Sequence, residues 1–376
     1  MACISKVLIV GGGIAGISAA VALARVGVQC EVVEKASEAS LGASLAFSGR
    51  AAEALVELGV YEDVRNTGTP FGPNSTATSL RDATGQMINR GPQRPTWSGA
   101  VDNVAVYRPV FIDVMTDAAK RLGVTIRQGV TAQTIQDGAD ATSVTFTTGE
   151  TRHYDLVVGA DGIGSPTRTI AFPNAPKPIY AGQLSIRWMA PGPAIEDEGW
   201  YLGPIGRLGF YYLPQGLVYV PAVINMPEWK HLSHEEVFSL FTRLLDSYTA
   251  PAIVELRSRL SPDAQLIGTS FQWLLVPKPW YRGRILLIGD AAHATTAHMG
   301  MGGGMALEDA AVLGQCVARA VTLPEALDAF VMRRFERVRS VVETSVKLSR
   351  LEQEKAPPSE NQALLTSALK VLAEPY

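Results

Sequence analysis

The sequence contains little of what would indicate a metalloprotein, a secreted protein or a nucleic-acid-binding protein. It has five histidines and three cysteines, Cys3, Cys30 and Cys316, with no C-x-x-C pair and no spacing typical of a metal site. An odd number of scattered cysteines is typical of reduced thiols in a cytoplasmic protein. The net charge of −3 and the lack of a basic block give no electrostatic reason to expect nucleic acid as a partner.

One stretch near the start, residues 7–24, is uncharged over enough residues to suggest a signal peptide or a short membrane segment. It contains four glycines and has the pattern of a strand, a turn and a helix, so neither a signal peptide nor a membrane partner is expected. The chain has 376 residues, of which 47% are hydrophobic and 18% are charged. These values predict a cytoplasmic globular protein with a large core and room for two domains.

The most informative pattern is a glycine motif between two predicted strands near the start of the chain. The apolar run Val7–Val10 leads into Gly11, Gly13 and Gly16, and a helical pattern then leads into a second strand that ends at Glu34. In this spacing the first glycine makes a tight turn, the second lets a pyrophosphate approach bare backbone, and the third lets helix and strand pack closely. An acid at the end of the second strand suits an unphosphorylated ribose. The motif therefore predicts a dinucleotide site and favours FAD or NAD over NADP.

Two β-rich segments interrupt the alternation of strands and helices. The predicted fold class is α/β, with a Rossmann-like cofactor-binding domain, an inserted mixed β-sheet substrate domain and a C-terminal helical segment. The cleft between the two domains is the expected active site. The cofactor domain is assigned to residues 1–66, 107–180 and 277–345, the substrate domain to 67–106 and 181–276, and the helical tail to 346–376. Within the first of these ranges, residues 41–60 are expected to form a loop followed by an amphipathic helix.

Three motifs in fixed order extend this interpretation: GGGIAG at residues 11–16, DGIGSPTR at 161–168, and GDAAH at 289–293 followed by GMGGGMALEDA at 300–310. Together they resemble the FAD-dependent aromatic hydroxylases, the group A flavin monooxygenases of the p-hydroxybenzoate hydroxylase and salicylate hydroxylase superfamily. The resemblance covers about residues 5–345, and the three motifs together are far more specific than any one of them.

The resemblance implies that the dinucleotide-binding domain is an FAD-binding domain and that FAD is tightly bound. The glycine motif would hold the pyrophosphate, and Glu34 with Lys35 would lie at the adenosine ribose. Asp290 would accept hydrogen bonds from the ribityl chain, and the N–H groups after Gly302 would stabilise negative charge on the reduced flavin. The positions implied for FAD are Gly11, Gly13, Gly16, Glu34, Lys35, Arg108, Asp161, Asp290, Gly302, Gly303 and Gly304, with Asp161 in a more structural role.

The reaction implied by the resemblance depends mainly on the cofactor. NAD(P)H reduces the flavin, O₂ adds at C4a, and the hydroperoxide hydroxylates a small aromatic or N-heteroaromatic substrate of the phenolic acid or hydroxypyridine type. Because the chain has one nucleotide-binding fold, NAD(P)H is expected as a transient co-substrate. The protein is expected to be a monomer or a homodimer. The alternatives are an FAD-dependent epoxidase or an N- or S-oxygenase of a larger ligand, an NAD-dependent dehydrogenase, and a non-catalytic flavin-binding protein.

Substrate-side residues can only be nominated from the sequence. The catalytic candidates are His298, Tyr211 and Tyr212, and the pocket candidates are Arg50, Arg187, Ala297 and Met299. Strand alternation places one of the two tyrosines on each face of its strand, and which one faces the pocket stays open at this point. Arg50 is either a partner for a substrate carboxylate or a solvated arginine at the start of a helix. No metal ligands are expected.

The chain departs from the usual family pattern beside the flavin. Ala297 stands where the family usually has proline, which frees a backbone donor and relaxes the loop. Met301 stands where relatives often have glutamine, and Gly49-Arg50 replaces a usual Pro-Asn pair. We therefore expect the flavin-side loop to differ in detail from that of its relatives.

Overall fold

The computed structural model describes residues 3–37, 42–71, 79–90 and 102–376. The strands are β1 (Lys6–Val10), β2 (Gln29–Glu34), β3 (Ser44–Phe47), β4 (Thr69–Phe71), β5 (Ser79–Arg81), β6 (Met87–Arg90), β7 (Asn103–Tyr107), β8 (Thr125–Gln128), β9 (Ala132–Gln136), β10 (Thr142–Phe146), β11 (Thr151–Tyr154), β12 (Leu156–Gly159), β13 (Ile179–Pro191), β14 (Gly199–Leu202), β15 (Gly206–Leu213), β16 (Leu217–Asn225), β17 (Leu266–Trp273), β18 (Tyr281–Arg282) and β19 (Ile285–Leu287).

The helices are α1 (Ile14–Arg25), α2 (Arg50–Glu57), α3 (Tyr61–Thr67), α4 (Arg108–Arg121), α5 (Pro166–Ala171), α6 (His234–Asp246), α7 (Pro251–Arg259), α8 (Asp290–His293), α9 (Gly302–Arg319), α10 (Leu323–Gln353) and α11 (Pro358–Leu372). None of the helices in the described ranges is both long and apolar enough to cross a lipid bilayer.

A six-stranded sheet in the order β18-β19-β12-β1-β2-β8 forms the centre of the cofactor-binding half. All of its strands are parallel except the edge strand β18. Val7, Leu8 and Ile9 of β1 are fully buried, as expected for a strand covered on both faces. Because β1 continues to β2 on one side and pairs with β12 on the other, the strand order reverses beside β1, where such sheets bind their ligands.

A seven-stranded sheet in the order β17-β13-β16-β15-β14-β5-β6 forms the second half. Helices α6 and α7 cover one of its faces. Even-numbered side chains of β13 such as Ile186 and Trp188 pack there with Phe241 of α6 and Ile253 of α7. The odd-numbered side chains of β13 therefore lie on the opposite face.

Two smaller sheets, β3-β7-β4 and β11-β10-β9, complete the fold. The structure differs from the expectation for residues 41–60, because Ser44–Phe47 is a strand that pairs with β7. β4 also pairs with β7, whereas β5 and β6 join the large sheet beside β14. The ends of the segment 67–106 thus pair within the cofactor-binding half, and the domain boundaries stay a prediction.

Candidate active site

The glycine motif of the β1–α1 turn contains two glycines that the protein itself requires and one that it does not. A Cβ atom at Gly11, whose φ is +107°, would lie 2.4 Å from the carbonyl oxygen of Ala160. A Cβ atom at Gly16 would lie 1.9 Å from the carbonyl oxygen of Gly11. At Gly13, by contrast, no atom of the described residues other than its chain neighbours lies within 4 Å of the Cβ position. Gly13 therefore leaves open space at the N-terminus of α1, where a pyrophosphate could approach.

Glu34 lies at the carboxyl end of β2 and holds the glycine turn through its side chain. Its Oε2 accepts a hydrogen bond from the N–H of Gly12 at 2.8 Å, and its Oε1 accepts one from the N–H of Ala36 at 2.9 Å. A carboxylate offers about four acceptor sites, so Glu34 can still accept from a ribose hydroxyl. Lys35 is exposed beside it.

The DGIGSPTR motif forms the turn between β12 and the start of the short helix α5. Its last residue, Arg168, also contacts the short helix α8. Asp161 accepts hydrogen bonds from the hydroxyl of Ser165 and from the N–H of Thr167, the latter at 2.9 Å. Arg168 donates to the carbonyl oxygen of Ala291 at 2.9 Å. These contacts favour the structural interpretation of Asp161, because they use its carboxylate to hold the N-terminus of α5.

Asp290 begins α8 directly after β19 and has no partner of its own. In the described part of the chain no group donates a hydrogen bond to its carboxylate, although protein surrounds it on several sides. Although Asp290 has an exposed surface, the surrounding protein desolvates its carboxyl and raises its pKa, and the charges of His293 and Arg108 oppose that rise. An acceptor that lies in a recess and lacks a donor fits the hydroxyl groups of a ribityl chain.

The N-terminus of α9 contains Gly302, Gly303 and Gly304. No side chain of the described residues caps this end, and the first turn contains no acid. Its N–H groups and positive dipole end are therefore available to a negatively charged group. A Cβ atom at Gly304 would lie 3.0 Å from the Cβ of Ala51, so even an alanine there would require a shift of a few tenths of an ångström between α9 and α2.

A buried ion network fixes the turn that leads to Asp290. The carboxylate of Asp309 accepts from the N–H of Gly289 at 3.0 Å, from His293 at 2.6 Å and from Arg334 at 2.8 Å. Burial alone would raise the pKa of Asp309, but His293 and Arg334 outweigh it and lower the pKa to about 2. These contacts identify His293 as a structural residue, as its position in GDAAH predicts.

The same network continues along α10 to the tail of the chain. Glu308, which is fully buried, accepts from Arg334 at 2.6 Å and from Arg337 at 2.7 Å. Arg337 also donates to the carbonyl oxygen of Leu372 at 2.7 Å. The two arginines thus have a structural role behind the glycines of α9.

His298 is enclosed by protein, which bears on its proposed role as a proton acceptor. Its Nδ1 lies 2.9 Å from the hydroxyl of Thr296, and its Nε2 lies 3.4 Å from a carboxylate oxygen of Glu352. Its ring packs against Phe271, only 3% of its side chain is exposed, and burial lowers its pKa. In this arrangement both ring nitrogens face protein groups, so His298 is better placed to position the loop than to contact a substrate.

Glu352 and Arg207, which were not predicted as site residues, join α10 to the face of the large sheet opposite α6 and α7. The two side chains approach to 2.7 Å. Burial favours the neutral acid, but Arg207 and His298 lower the pKa of Glu352 to about 2. Arg207 also stacks over the ring of Trp200 at 4.3 Å. No motif marks Glu352, because it lies on the regular helical pattern of α10.

The structure shows which tyrosine of β15 faces away from the helices. Tyr212 packs against the core beneath α6 and α7. Tyr211 lies on the opposite face, directly across from Tyr219 of β16, and its ring contacts Trp200 edge-on. Arg187 of β13 lies on this face as well, because it has the odd-numbered position that the helices do not cover. Of the two tyrosines, only Tyr211 is therefore placed to border a cleft on that side.

The three remaining pocket candidates, Arg50, Met299 and Ala297, have different surroundings. Arg50 is buried rather than solvated, and it donates to the carbonyl oxygen of Ala373 at 2.9 Å and to Glu53 at 2.8 Å, so the expectation of a solvated arginine is wrong and its role at a substrate stays a prediction. Met299 has no exposed surface and belongs to the core, so it differs from the expectation of a pocket wall. Ala297 is exposed in the loop before α9.

Comparison with known proteins agrees with this architecture. The family described as "FAD binding domain" matches residues 5–192 and 271–345. The 2-heptyl-3-hydroxy-4(1H)-quinolone synthase of Pseudomonas aeruginosa is 32% identical over 365 residues, which cover 93% of this chain and 90% of that protein. The aurachin C monooxygenase/isomerase of Stigmatella aurantiaca is 28% identical over 354 residues, with coverages of 92% and 89%.

Solved structures share the fold. HpxO of Klebsiella pneumoniae, solved with FAD and uric acid, superposes with a TM-score of 0.82 over 99% of this chain and 97% of that one, at 24% identity. The chain belongs to the group A FAD-dependent aromatic hydroxylase family. It is a flavoprotein monooxygenase with FAD as its cofactor, which confirms the resemblance of the three motifs.

Proposed function

We propose that this monooxygenase uses NAD(P)H and O₂ to hydroxylate a small aromatic or N-heteroaromatic compound of the phenolic acid or hydroxypyridine type. The observation that carries the proposal concerns Arg108, at the start of α4. Its charge acts both on the carboxylate of Asp290 and on the guanidinium of Arg187. From this proximity we infer that the strand ends of the parallel sheet and the uncovered face of the large sheet border one space, in which a cofactor and an organic substrate can meet.

The residues on the cofactor side fit FAD. Gly13 leaves room for the pyrophosphate, Asp290 offers an unpartnered acceptor, and the uncapped N-terminus of α9 offers N–H groups for a negatively charged ring edge. When bound, FAD supplies the transfer of electrons from NAD(P)H and the activation of O₂. The protein's own contribution is to hold the two rings in place and to exclude water.

The residues on the substrate side fit an aromatic ring. Tyr211 and Tyr219 form a cross-strand aromatic pair on the face that the helices leave uncovered. Aromatic rings pack favourably in offset or edge-on arrangements against such a pair. Tyr211 is our candidate for the residue that contacts the substrate, and His298 is proposed to position the flavin-side loop through Thr296 and Glu352.

The names of the relatives support the same class of substrate. They include a urate hydroxylase of Klebsiella pneumoniae and a 3-amino-4-hydroxybenzoate 2-monooxygenase of Streptomyces platensis, each 28% identical to this chain. Together with the quinolone synthase, they act on aromatic or heteroaromatic rings. They differ from one another in the ring, so they support the class and leave the particular compound to experiment.

The test is to measure NADH and NADPH oxidation by the FAD-loaded protein with a panel of phenolic acids, hydroxypyridines and 4-quinolones. We expect at least one compound to accelerate oxidation and to gain one oxygen atom by mass spectrometry. A flavin that is reduced by NAD(P)H while no compound of the panel is oxygenated would contradict the proposal. Tyr211→Leu, which removes the ring from the uncovered face, should lower the rate of oxygenation, whereas Tyr212→Leu, on the other face of β15, is the matched control and should not.

A further inference from the structure

Arg187 lies near the middle of β13 on the face of the large sheet that α6 and α7 leave uncovered. Its cross-strand partner is Pro221, so Tyr219 is its diagonal neighbour on the same face, and Tyr211 lies directly across from Tyr219. Arg187 is half-buried, and its position is fixed by one hydrogen bond to the hydroxyl of Thr269 at 2.7 Å. The side chain therefore lies beside the aromatic pair, with its Nε buried and its hydrogen bond to Thr269 at the exposed end.

In contrast to Arg207 and Arg81 of the same sheet, Arg187 has no acidic partner within the described ranges. Arg207 approaches Glu352 to 2.7 Å, and Arg81 approaches Asp197 to 2.7 Å. The Nε of Arg187 is buried without a hydrogen-bond partner. The charged and titratable groups that act on it are the Tyr219 hydroxyl and the guanidinium of Arg108, which repels it.

A half-buried guanidinium without an anion is unfavourable, because desolvation weakens its interaction with water and nothing replaces that interaction. Burial accordingly lowers the pKa of Arg187. A second cation nearby adds to this cost. An anion in the cleft would remove both penalties and could use the planar fork of N–H donors that suits oxyanions.

We propose that Arg187 binds an anionic oxygen of the substrate, either a carboxylate or an ionised ring hydroxyl, and holds the ring against Tyr211 and Tyr219. This inference rests on the proposed function, because it takes the organic ligand to occupy this cleft. It narrows the substrate class to aromatic compounds that carry a negative charge when bound. An ionised hydroxyl would also make the ring richer in electrons and hence more reactive towards oxygenation.

The test compares matched anionic and neutral probes with the FAD-loaded protein. 4-Hydroxybenzoate is paired with 4-hydroxybenzamide for the carboxylate, and 4-nitrophenol is paired with its methyl ether for the ionised hydroxyl. Binding is measured from the change that each probe causes in the visible flavin spectrum. The variants are Arg187→Gln, which removes the charge, and Arg187→Lys, which keeps it. Arg339→Gln removes an exposed, ion-paired arginine of α10 and controls for net charge.

We expect the wild type to bind the anion of at least one pair about 10- to 100-fold more tightly than its neutral partner. Arg187→Gln should abolish that preference, Arg187→Lys should keep part of it, and Arg339→Gln should keep all of it. The pair that shows the preference identifies the group that Arg187 binds. If neither anion is preferred by the wild type, including the case of no measurable binding, the proposal is overturned.

Two further outcomes separate this inference from its alternatives. An Arg187→Gln protein that loses FAD while it keeps an anion preference would assign the arginine to the cofactor phosphates and would overturn the proposal. An Arg187-dependent anion preference without oxygenation of any aromatic compound would support the anion site and contradict the proposed hydroxylase function. The two proposals can therefore fail separately.

Discussion

Replacement of Gly13 by valine should abolish FAD binding without disturbing the fold. Apart from the chain neighbours of Gly13, no atom of the described residues lies within 4 Å of the position that a Cβ would take, so the new side chain would occupy the volume that we assign to the pyrophosphate. The backbone at Gly13 has φ of −72° and ψ of −171°, which valine adopts without strain. Gly16→Ala is the matched control, because its Cβ would lie 1.9 Å from the carbonyl oxygen of Gly11.

These geometries give opposite expectations for stability and for cofactor binding. In the cofactor-free protein, Gly13→Val should change the free energy of unfolding by less than about 1 kcal/mol, since a compatible non-glycine residue mainly restricts the unfolded chain. Gly16→Ala should destabilise by about 3 kcal/mol or more, because α1 must move away from β1. FAD at about 1,000 times its dissociation constant should stabilise the wild type by about 4 kcal/mol and Gly13→Val not at all.

The assay is chemical unfolding with and without added FAD, combined with the flavin absorbance that remains per polypeptide after gel filtration. If Gly13→Val retained stoichiometric flavin and the full stabilisation by FAD, the assignment of this space to the pyrophosphate would be wrong. If Gly16→Ala were as stable as the wild type, the packing argument for that glycine would fail instead. Gly13→Val tests the space for the pyrophosphate, and Gly16→Ala tests the packing of α1 on β1. The two results can therefore be interpreted independently.

Two further predictions concern the acids near β19. Asp290→Ala should weaken FAD binding about tenfold or more in a flavin fluorescence titration, through the loss of the hydrogen bonds that its carboxyl group would accept, and unchanged affinity would contradict its ribityl role. Asp309→Asn should destabilise the protein at neutral pH by roughly 3–5 kcal/mol, because Arg334 and His293 lose their buried partner. Since the pKa of Asp309 falls from 3.8 to about 2 on folding, its contribution is present above about pH 4 and disappears as the pH falls towards 2. Denaturation curves should therefore show the difference between wild type and variant shrinking over that range, and a constant difference would refute the assignment.

The cofactor half was predictable because its signals are local. The spacing of Gly11, Gly13 and Gly16 depends on one strand, one turn and one helix, all contiguous in the chain. The carboxyl ends of parallel strands lie at one edge, so Glu34 and Asp290 could be assigned to the same region from the sequence alone. The role of each of these residues stays a prediction that the variants above test.

The substrate half was less predictable because it depends on which face of a sheet the helices cover. Alternation separates Tyr211 from Tyr212 in any strand, but only the position of α6 and α7 decides which of them is buried. No sequence pattern marked Glu352 as a site residue, because its partner Arg207 lies on a strand far away in the sequence. The strand β3 was missed for the same reason, because its pairing with β7 across a long segment stabilises a run of only four residues.

The helix α10 contributes to both sides of the cleft. Near its middle, Arg334 holds Asp309 and so helps to fix the turn before Asp290, and at its end Glu352 pairs with Arg207 on the large sheet. A continuous helix rises 1.5 Å per residue, which places these two attachment points roughly 27 Å apart along its axis. Because a packed helix resists bending, this one fixes the distance between the strand ends that would hold FAD and the sheet face that would hold the substrate. The separation of these two attachment points is therefore set by ion pairs on a rigid element, one fully buried and one partly exposed.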